Sequence, residues 1–284
     1  MKKVGIVVTQ SHDWTGCALY NAVKSYGMHP VMIDFNKAYS TLDRIYAGNI
    51  DLTEMDVIII RDIGPATLKD IFFRYDLIFK LREEGIKILN SPECIAWCAN
   101  KHISTCLFQK NGIPVPETLV TSDINNALKF LSSQEQAVIK PVYGYKGIGI
   151  TLVKNDEEGI HKVKKVLERD GVIYMQEFIN YKRDIRAFVV NHKVVGSISR
   201  VAHEGWVSNL SQGGVAKPCS LTEEQLTLSL KAARVMKTIF AGVDIIEGDS
   251  SYVLEINATP SGKGIFEACR IDVTMYIAEY VHDM

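Results

Sequence analysis

Excess charge is the first thing this 284-residue chain lacks: 32 Lys and Arg stand against 33 Asp and Glu, a formal net charge of −1. Binding to nucleic acid without regard to sequence draws its affinity from neutralised phosphates. No nucleic-acid partner is therefore expected, short of a local basic groove. Long apolar runs are also missing. Stretches such as Val57–Ile60 fall far short of the roughly 20 residues that span a bilayer, so no membrane partner is expected. Met1-Lys2-Lys3 leads straight into a short apolar run at 4–8 with no small-residue cleavage site behind it, unlike a secretory signal. The expected location is cytoplasmic. The six cysteines (17, 94, 98, 106, 219 and 269) form no C-x-x-C pair, which argues against zinc and against a disulfide framework and leaves reduced thiols. No period of 20–50 residues repeats and no segment is of low complexity.

Residues 1–93 alternate strand and helix: strands at 4–9, 31–33, 57–61 and 86–89, and a helix at 17–26 ended by Gly27. Leu68, Ile71, Phe72, Tyr75, Ile78 and Leu81 are spaced by threes and fours, which predicts a second helix with all six on one face, stopped by Gly85. Such alternation implies a parallel sheet with helices on both sides. The loop after the first strand, Thr9-Gln10-Ser11-His12-Asp13-Trp14, has no glycine, which argues against a dinucleotide site of the G-x-G-x-x-G kind.

Beyond residue 90 the pattern changes. Ser91-Pro92-Glu93 reads as N-cap, first-turn proline and dipole-matched acid, with Lys101 in that helix or just past it. Gly112-Ile113-Pro114-Val115-Pro116 is a break. A strand at 137–141 enters the glycine-rich stretch Gly144-Tyr145-Lys146-Gly147-Ile148-Gly149 and a strand at 150–153 leaves it, so the loop is expected to cap a hairpin. A helix at 157–169 and a strand at 172–177 follow. The last third predicts strands at 185–190 and 194–199 turned at Asn191-His192, and a loop at 202–214. A helix at 222–240 should turn Leu226, Leu230, Ala233, Met236 and Phe240 inward, ahead of strands at 243–247 and 252–256.

Centring the last hairpin between Asp249 and Ser250 sets Asp244 opposite Glu255, with Cβ atoms about 5 Å apart. Asn257, two residues on, shares their face. Two adjacent carboxylates repel unless a cation lies between them, and an all-oxygen set suits Mg2+ held partly by substrate phosphates. A solvent-facing hairpin with incidental acids is the competing account. Lys140, ahead of the glycine loop, is either a fixed charge for phosphate or a surface lysine at a strand end. The loop itself allows close backbone approach to phosphate but is no Walker A motif, and Ser261-Gly262-Lys263-Gly264 is none either. Tyr174 to Ile179 join an apolar strand end to backbone groups that could meet an adenine edge, or simply leave the core. Arg186 shares a face with Asp184, and Arg200 ends the next strand. They read as a clamp for an anion or as a surface salt-bridge ladder.

Taken in order, several short motifs resemble the RimK-type branch of amino-acid ligases within the ATP-grasp superfamily. They are Asn90-Ser91-Pro92, Lys101, Ile139-Lys140-Pro141 with the glycine loop, Gln176-Glu177-Phe178-Ile179, Asp184-Ile185-Arg186, Ser208-Asn209 with Gly213-Gly214, Gly242-Val243-Asp244, and Glu255-Ile256-Asn257-Ala258-Thr259-Pro260. The run from Arg61-Asp62-Ile63-Gly64 to Phe73-Arg74-Tyr75-Asp76 also resembles archaeal-type members that add glutamate to a tetrahydromethanopterin-type coenzyme. The resemblance implies an α/β and α+β chain with the ATP-grasp fold: a parallel-sheet N-terminal domain at 1–93, a central lid at 94–178 and a C-terminal lobe at 179–284. Lys101 and Lys140 would contact ATP phosphates under a loop closed by Gly144, Gly147 and Gly149. Glu177, Phe178 and Ile179 would present the adenine hinge, Asp184 would reach the ribose, and Asn209 would border the phosphate end, with Gln176 and Ser208 also in the nucleotide site. Asp244, Glu255 and Asn257 would hold two Mg2+ ions, with Mn2+ as a substitute. Arg186 and Arg200 would stabilise an acyl phosphate and a tetrahedral oxyanion.

The sequence departs from the family pattern at Tyr145 and Lys146, at Val207 where an arginine is common, and at 261–264, where members diverge. The activity implied is ADP-forming ligation of an amino acid, glutamate first, to a carboxylate-bearing small molecule or coenzyme. A lysine-biosynthesis-type ligase acting on a carrier protein and a regulatory ATP-binding module without turnover are the alternatives. A homo-oligomer is expected.

Overall fold

A computed structural model describes residues 1–64, 67–144, 147–201 and 215–284. The N-terminal part opens with β1 (Lys3–Val8), α1 (Trp14–Ser25) and β2 (His29–Asp34). A small antiparallel sheet follows, of β3 (Ala38–Ser40), β4 (Ile45–Ala47) and β5 (Ile50–Asp51), then β6 (Val57–Ile60), α2 (Leu68–Glu83) and β7 (Lys87–Leu89). The larger sheet is parallel, in the order β2-β1-β6-β7. Alternate residues of its strands face opposite sides. Val7, Ile33, Ile58 and Ile60 pack with Leu77, Ile78 and Leu81 of α2, while Ile6, Val8 and Ile59 pack with Leu19 and Val23 of α1 and with the C-terminal helix, described below.

Two helix readings need correction here. α1 starts three residues before the predicted 17, because Asp13 caps it by accepting from the Gly16 N–H at 2.7 Å. In α2 the six-residue apolar stripe is not buried throughout: Ile78 and Leu81 are, but Phe72 is 66% exposed. The spacing is helical, yet the sheet covers only the second half of the helix.

The central part comprises α3 (Pro92–Ala99), α4 (Lys101–Lys110), β8 (Thr118–Thr121), α5 (Ile124–Gln134), β9 (Gln136–Lys140), β10 (Thr151–Lys154), α6 (Glu157–Asp170) and β11 (Ile173–Glu177). Its antiparallel sheet runs β10-β9-β11-β8, and α5 and α6 cover it through Phe130, Leu131 and Val163. Ser91 caps α3 with Pro92 in the first turn, as the sequence suggests. Phe108 and Ile113 share a core with residues of the C-terminal sheet rather than with the central one.

This C-terminal sheet is antiparallel, ordered β14-β13-β12-β15-β16, from β12 (Arg183–Val190), β13 (Lys193–Val201), β14 (Val215–Pro218), β15 (Phe240–Glu247) and β16 (Ser251–Asn257). α7 (Glu223–Val235) packs on it, and α8 (Lys263–Cys269) and α9 (Val273–Asp283) close the chain. α9 is the C-terminal helix that returns to the N-terminal sheet through Ile277, Ala278 and Val281. Asn191 and His192 both take positive φ, 46° and 60°, the backbone a tight two-residue hairpin needs.

The predicted helix at 222–240 is too long. α7 ends at Val235, Lys237 adopts φ 55°, and Phe240 is the first residue of β15. No glycine or proline marks that stop. The buried face is also rotated: Leu228, Ala232, Ala233 and Met236 point inward, and Leu226 is 41% exposed. Among the described residues, no helix is long and apolar enough to cross a membrane.

Asn90 joins the N-terminal parallel sheet to the C-terminal sheet. Its side chain is fully buried and donates to the carbonyls of Phe240 (2.8 Å) and Ala258 (2.6 Å), while its Oδ1 accepts from the N–H of Ile239 (2.7 Å) and Phe240 (3.3 Å). Asn90→Ala would strand these buried groups, and we expect it to destabilise the chain by about 3 kcal/mol. The urea midpoint of unfolding reads this directly, and an unchanged midpoint would refute it.

Candidate active site

One face of the C-terminal sheet carries the charge. The register sets Arg186 beside Asp244, Asp244 beside Glu255, Gly242 beside Asn257, and Asp184 beside Arg200. The expected Asp244–Glu255 pairing is thus found, but for only half the hairpin. A bulge follows Asp244, so that Ile245 faces Val253 and Glu247 faces Ser251. Leu254 is the extra residue; such bulges bend a strand and re-aim its side chains.

Asp244 is 2% exposed, which removes the solvent-facing hairpin as an account of it. Arg186 grips it with two bonds, Nε to Oδ1 at 2.6 Å and Nη2 to Oδ2 at 2.7 Å, and Arg200 Nη1 reaches Oδ2 at 3.0 Å. Arg200 also pairs with Asp184, its Nε lying 3.1 Å from Oδ1. These ion pairs are buried, so the surface-ladder reading of the arginines fails as well. Burial works against the Asp244 carboxylate, yet Arg186 and Arg200 outweigh it and hold its pKa at about 2. In the same way Asp244 and Asp184 raise the Arg200 guanidinium above its usual range against the opposing effect of burial.

Arg186 can lie flat because position 242 has no side chain. A Cβ there would meet Arg186 Cδ and Nε at 3.4 Å and Pro260 Cβ at 3.2 Å, closer than most carbon contacts. Glu255 keeps about a third of its side chain exposed, with Lys101 Nζ 3.4 Å from Oε2. Asn257 Oδ1 accepts from the Thr259 N–H at 2.8 Å.

Across the cleft, Lys101 is the first residue of α4, after the N-cap Asn100, and is 8% exposed. Lys140 ends β9, and its Nζ donates to Gln176 Oε1 at 2.5 Å. Burial pushes the Lys140 ammonium down to about 8. Glu255, Asp184 and Asp244 draw it partly back up, and Lys101 adds to the fall. Gln176 is 1% exposed, so its amide serves Lys140 from beneath. Glu177 Oε2 accepts from the Glu117 N–H at 3.2 Å, and the Glu177 N–H donates to the Glu117 carbonyl at 2.8 Å. The Glu177 carboxylate is thereby tied to the chain just ahead of β8.

The cleft between these walls has a cavity volume of about 100 Å³ and opens to solvent. Its lining combines the charged side chains of Lys101, Lys140, Asp184, Arg200, Asp244 and Glu255 with the apolar ones of Val138, Ile150, Ile179, Ile246 and Leu254, and includes Glu177 and Phe178. Gly144 and Gly147 border it from the glycine-rich loop, where Gly147 and Gly149 sit at φ 72° and 80°, backbone that disfavours any other residue. Arg186 and Asn257 are not on the lining; they stand behind Asp244 and at the end of β16. Ser208 and Asn209 lie outside the described residues.

Among the described residues no group of three or more His, Cys, Asp or Glu could hold a metal ion. The candidate set is two carboxylates and an amide oxygen. That all-oxygen chemistry fits Mg2+; Asp244 Oδ2 takes bonds from both Arg186 and Arg200, while Oδ1 takes one from Arg186 Nε and has a lone pair to offer.

The sequence pointed to these residues but missed their supports. Arg61, at the end of β6, donates to the Thr259 carbonyl at 3.0 Å and pairs with Asp13, while the Gly262 N–H donates to Thr15 Oγ1 at 3.0 Å. Together with Asn90, these residues hold the segment just past Asn257 against the N-terminal sheet. Arg61's place at the carboxyl end of a parallel strand, where such sheets put functional groups, was the one available signal.

Comparison with known proteins bears on the fold and the family. Solved structures with the same fold include an ATP-grasp ligase, PsnB, complexed with a minimal precursor (TM-score 0.79, 17% identical, covering 99% of this chain and 98% of that one). Another is a RimK domain ATP-grasp protein from Sphaerobacter thermophilus (TM-score 0.78, 17% identical, 98% of each chain). The fold is that of the ATP-grasp ligases. The family model for the RimK-like ATP-grasp domain matches residues 98–281, and the chain belongs to that family. It is an ATP-dependent carboxylate–amine ligase. Its relatives include a protein of Methanosarcina acetivorans named tetrahydromethanopterin:alpha-L-glutamate ligase, 41% identical over 323 aligned residues and all of both chains. A protein of the same name from Methanocaldococcus jannaschii is 37% identical over 81% of this chain and 80% of its own.

Proposed function

We propose that this ligase joins L-glutamate to a carboxylate-bearing coenzyme of pterin type through an acyl phosphate. The observation that carries the reading is the buried Asp244, paired with Glu255 and sharing one cleft with Lys101 and Lys140. The names of the relatives at 41% and 37% identity support the choice of acceptor and amino acid.

The acceptor carboxylate attacks the γ-phosphorus of ATP, and ADP leaves. The amine of glutamate then attacks the acyl carbon, and inorganic phosphate leaves from the tetrahedral adduct. Such phosphoryl transfer asks the protein for positioning and charge neutralisation rather than for a nucleophile. Lys101 and Lys140 bind the phosphates, with Gly144, Gly147 and Gly149 closing over them and Ser208 and Asn209 at their far end. Glu177 to Ile179 meet the adenine, Gln176 serves the nucleotide site through Lys140, and Asp184 meets the ribose. Asp244, Glu255 and Asn257 would hold two Mg2+ ions, or Mn2+ in their place, which neutralise charge on the β- and γ-oxygens when bound. Arg200 and Arg186 offset charge that develops on the acyl phosphate and the oxyanion.

The lobes doing this are 1–93, 94–178 and 179–284, in a cytoplasmic homo-oligomer. A matrix of candidate acids and amines, with ATP and Mg2+, tests the function. ADP release that needs both partners, with a glutamyl mass increment on a pterin acid, is expected. Release only with a carrier-protein tail would reassign the acceptor, and nucleotide binding with no product in any pairing would leave a regulatory module.

Lys140 supplies a pH signature. A lysine with a pKa of about 8 is mostly charged at pH 7 and loses its charge as pH rises through 8. The KM for ATP should therefore climb above pH 8, and Lys140→Arg, charged throughout, should flatten that limb. A limb that persists unchanged in the arginine variant would assign it to another group.

A further inference from the structure

Lys101 and Lys140 come from different elements, α4 and β9, yet a chain of buried side chains connects their surroundings. Thr105, one turn beyond Lys101, lies 3.0 Å from the Tyr174 hydroxyl through its Oγ1. Gln176, two residues along β11 and so on the same face as Tyr174, donates from Nε2 to the Tyr174 hydroxyl at 3.1 Å and to Thr118 Oγ1 at 3.0 Å. Its Oε1 accepts from Lys140 Nζ at 2.5 Å. Tyr174 and Gln176 are each 1% exposed and Thr105 is 6% exposed.

At that depth an amide has little freedom. Its NH2 group needs acceptors and its oxygen needs a donor. Two hydroxyls take the two N–H bonds, so the oxygen must face the ammonium. The phenol, having accepted one hydrogen bond, has its own proton for Thr105. Without the Tyr174 hydroxyl, the amide loses one of the two acceptors that set its direction, and a flipped amide would turn N–H bonds toward a cation.

We propose that Tyr174 and Gln176, braced by Thr105 and Thr118, are positioning residues that aim the Lys140 ammonium into the cleft and register it against the helix bearing Lys101. The proposal rests on the assignment of Lys140 to the nucleotide phosphates. Neither hydroxyl nor amide touches the reacting atoms; each acts through the lysine.

The experiment is a double-mutant cycle on ATP binding in the presence of Mg2+, by calorimetry and steady-state kinetics, with the full chain. The variants are Tyr174→Phe, Lys140→Met and the two combined. Tyr174→Phe should weaken ATP binding by about tenfold, as for loss of aim in one charge-assisted contact, with the KM for the amine unchanged. On the Lys140→Met background the same substitution should change ATP affinity by less than about twofold, because the group it aims is gone. An equal loss on both backgrounds, or no loss in the single variant, overturns the relay. Wild-type ATP affinity in Lys140→Met overturns the phosphate assignment instead, so the two failures are distinguishable. Should Tyr174→Phe fail to fold, Thr105→Val reads the outer link through the same cycle, with an expected loss of about threefold; no coupling to Lys140 there would likewise overturn the relay.

Discussion

Glu255→Gln should lower turnover by about a thousandfold or more, as expected when a group that neutralises transition-state charge loses its own, and should leave the chain folded. The two halves of that expectation come from different features of one residue. Glu255 stands beside Asp244 on the face bordering the cleft, so its charge bears on whatever the phosphates and their metal ions require. Its side chain is about a third exposed, and its ion pair with Lys101 spans 3.4 Å. A partly solvated pair of that kind contributes little to folding, and glutamine leaves an oxygen to face the ammonium. The unfolding free energy should move by no more than about 1 kcal/mol. Kinetics across a Mg2+ titration, with urea unfolding of the same preparation, checks both. Near-normal turnover at limiting Mg2+ would remove Glu255 from the metal-holding set.

What could be read from the residues alone tracks how local each determinant is. The Asp244–Glu255 pairing needed only a turn position and a period of two, and it holds. The bulge that follows it has no signal in the period of two, so the hairpin's other half is shifted by one residue. Lys140 before its glycine loop, the Ser91 cap and the Asn191-His192 turn are all signals within a few residues. The end of α7 has none: Lys237 turns left-handed with no glycine to announce it. Phe72 shows the opposite failure, a correct helical period on a face that the fold leaves uncovered. The contacts hardest to foresee join residues far apart in sequence. Asn90 reaches Ala258, Arg61 reaches Thr259, and Thr105 reaches Tyr174. Each is a polar side chain whose partner is chosen only when elements distant in sequence come together, and no spacing rule encodes that meeting.

Asp244→Asn should combine loss of turnover with loss of stability, in contrast to its neighbour. Its side chain is 4% exposed and accepts two bonds from Arg186 and one from Arg200. Asparagine would turn an NH2 group toward buried guanidinium and remove the charge that compensates it. Breaking one partner out of a buried ionic cluster costs about 4 kcal/mol, and the variant should unfold at clearly lower urea at pH 7. The pH dependence gives the test its sign. The folded carboxyl sits at about 2, below the ordinary 3.8, so its contribution is complete above about pH 4 and disappears as pH falls through 2. By linkage, the part of wild-type stability lost in that window is roughly 2 kcal/mol. Asparagine does not titrate, so the stability gap between wild type and variant should be widest at neutral pH and narrow in acid. A gap that stays constant from pH 7 to pH 2 would show that the cluster is held by shape rather than by charge. The arginines could not then be counted on to keep Asp244 ionised for the metal.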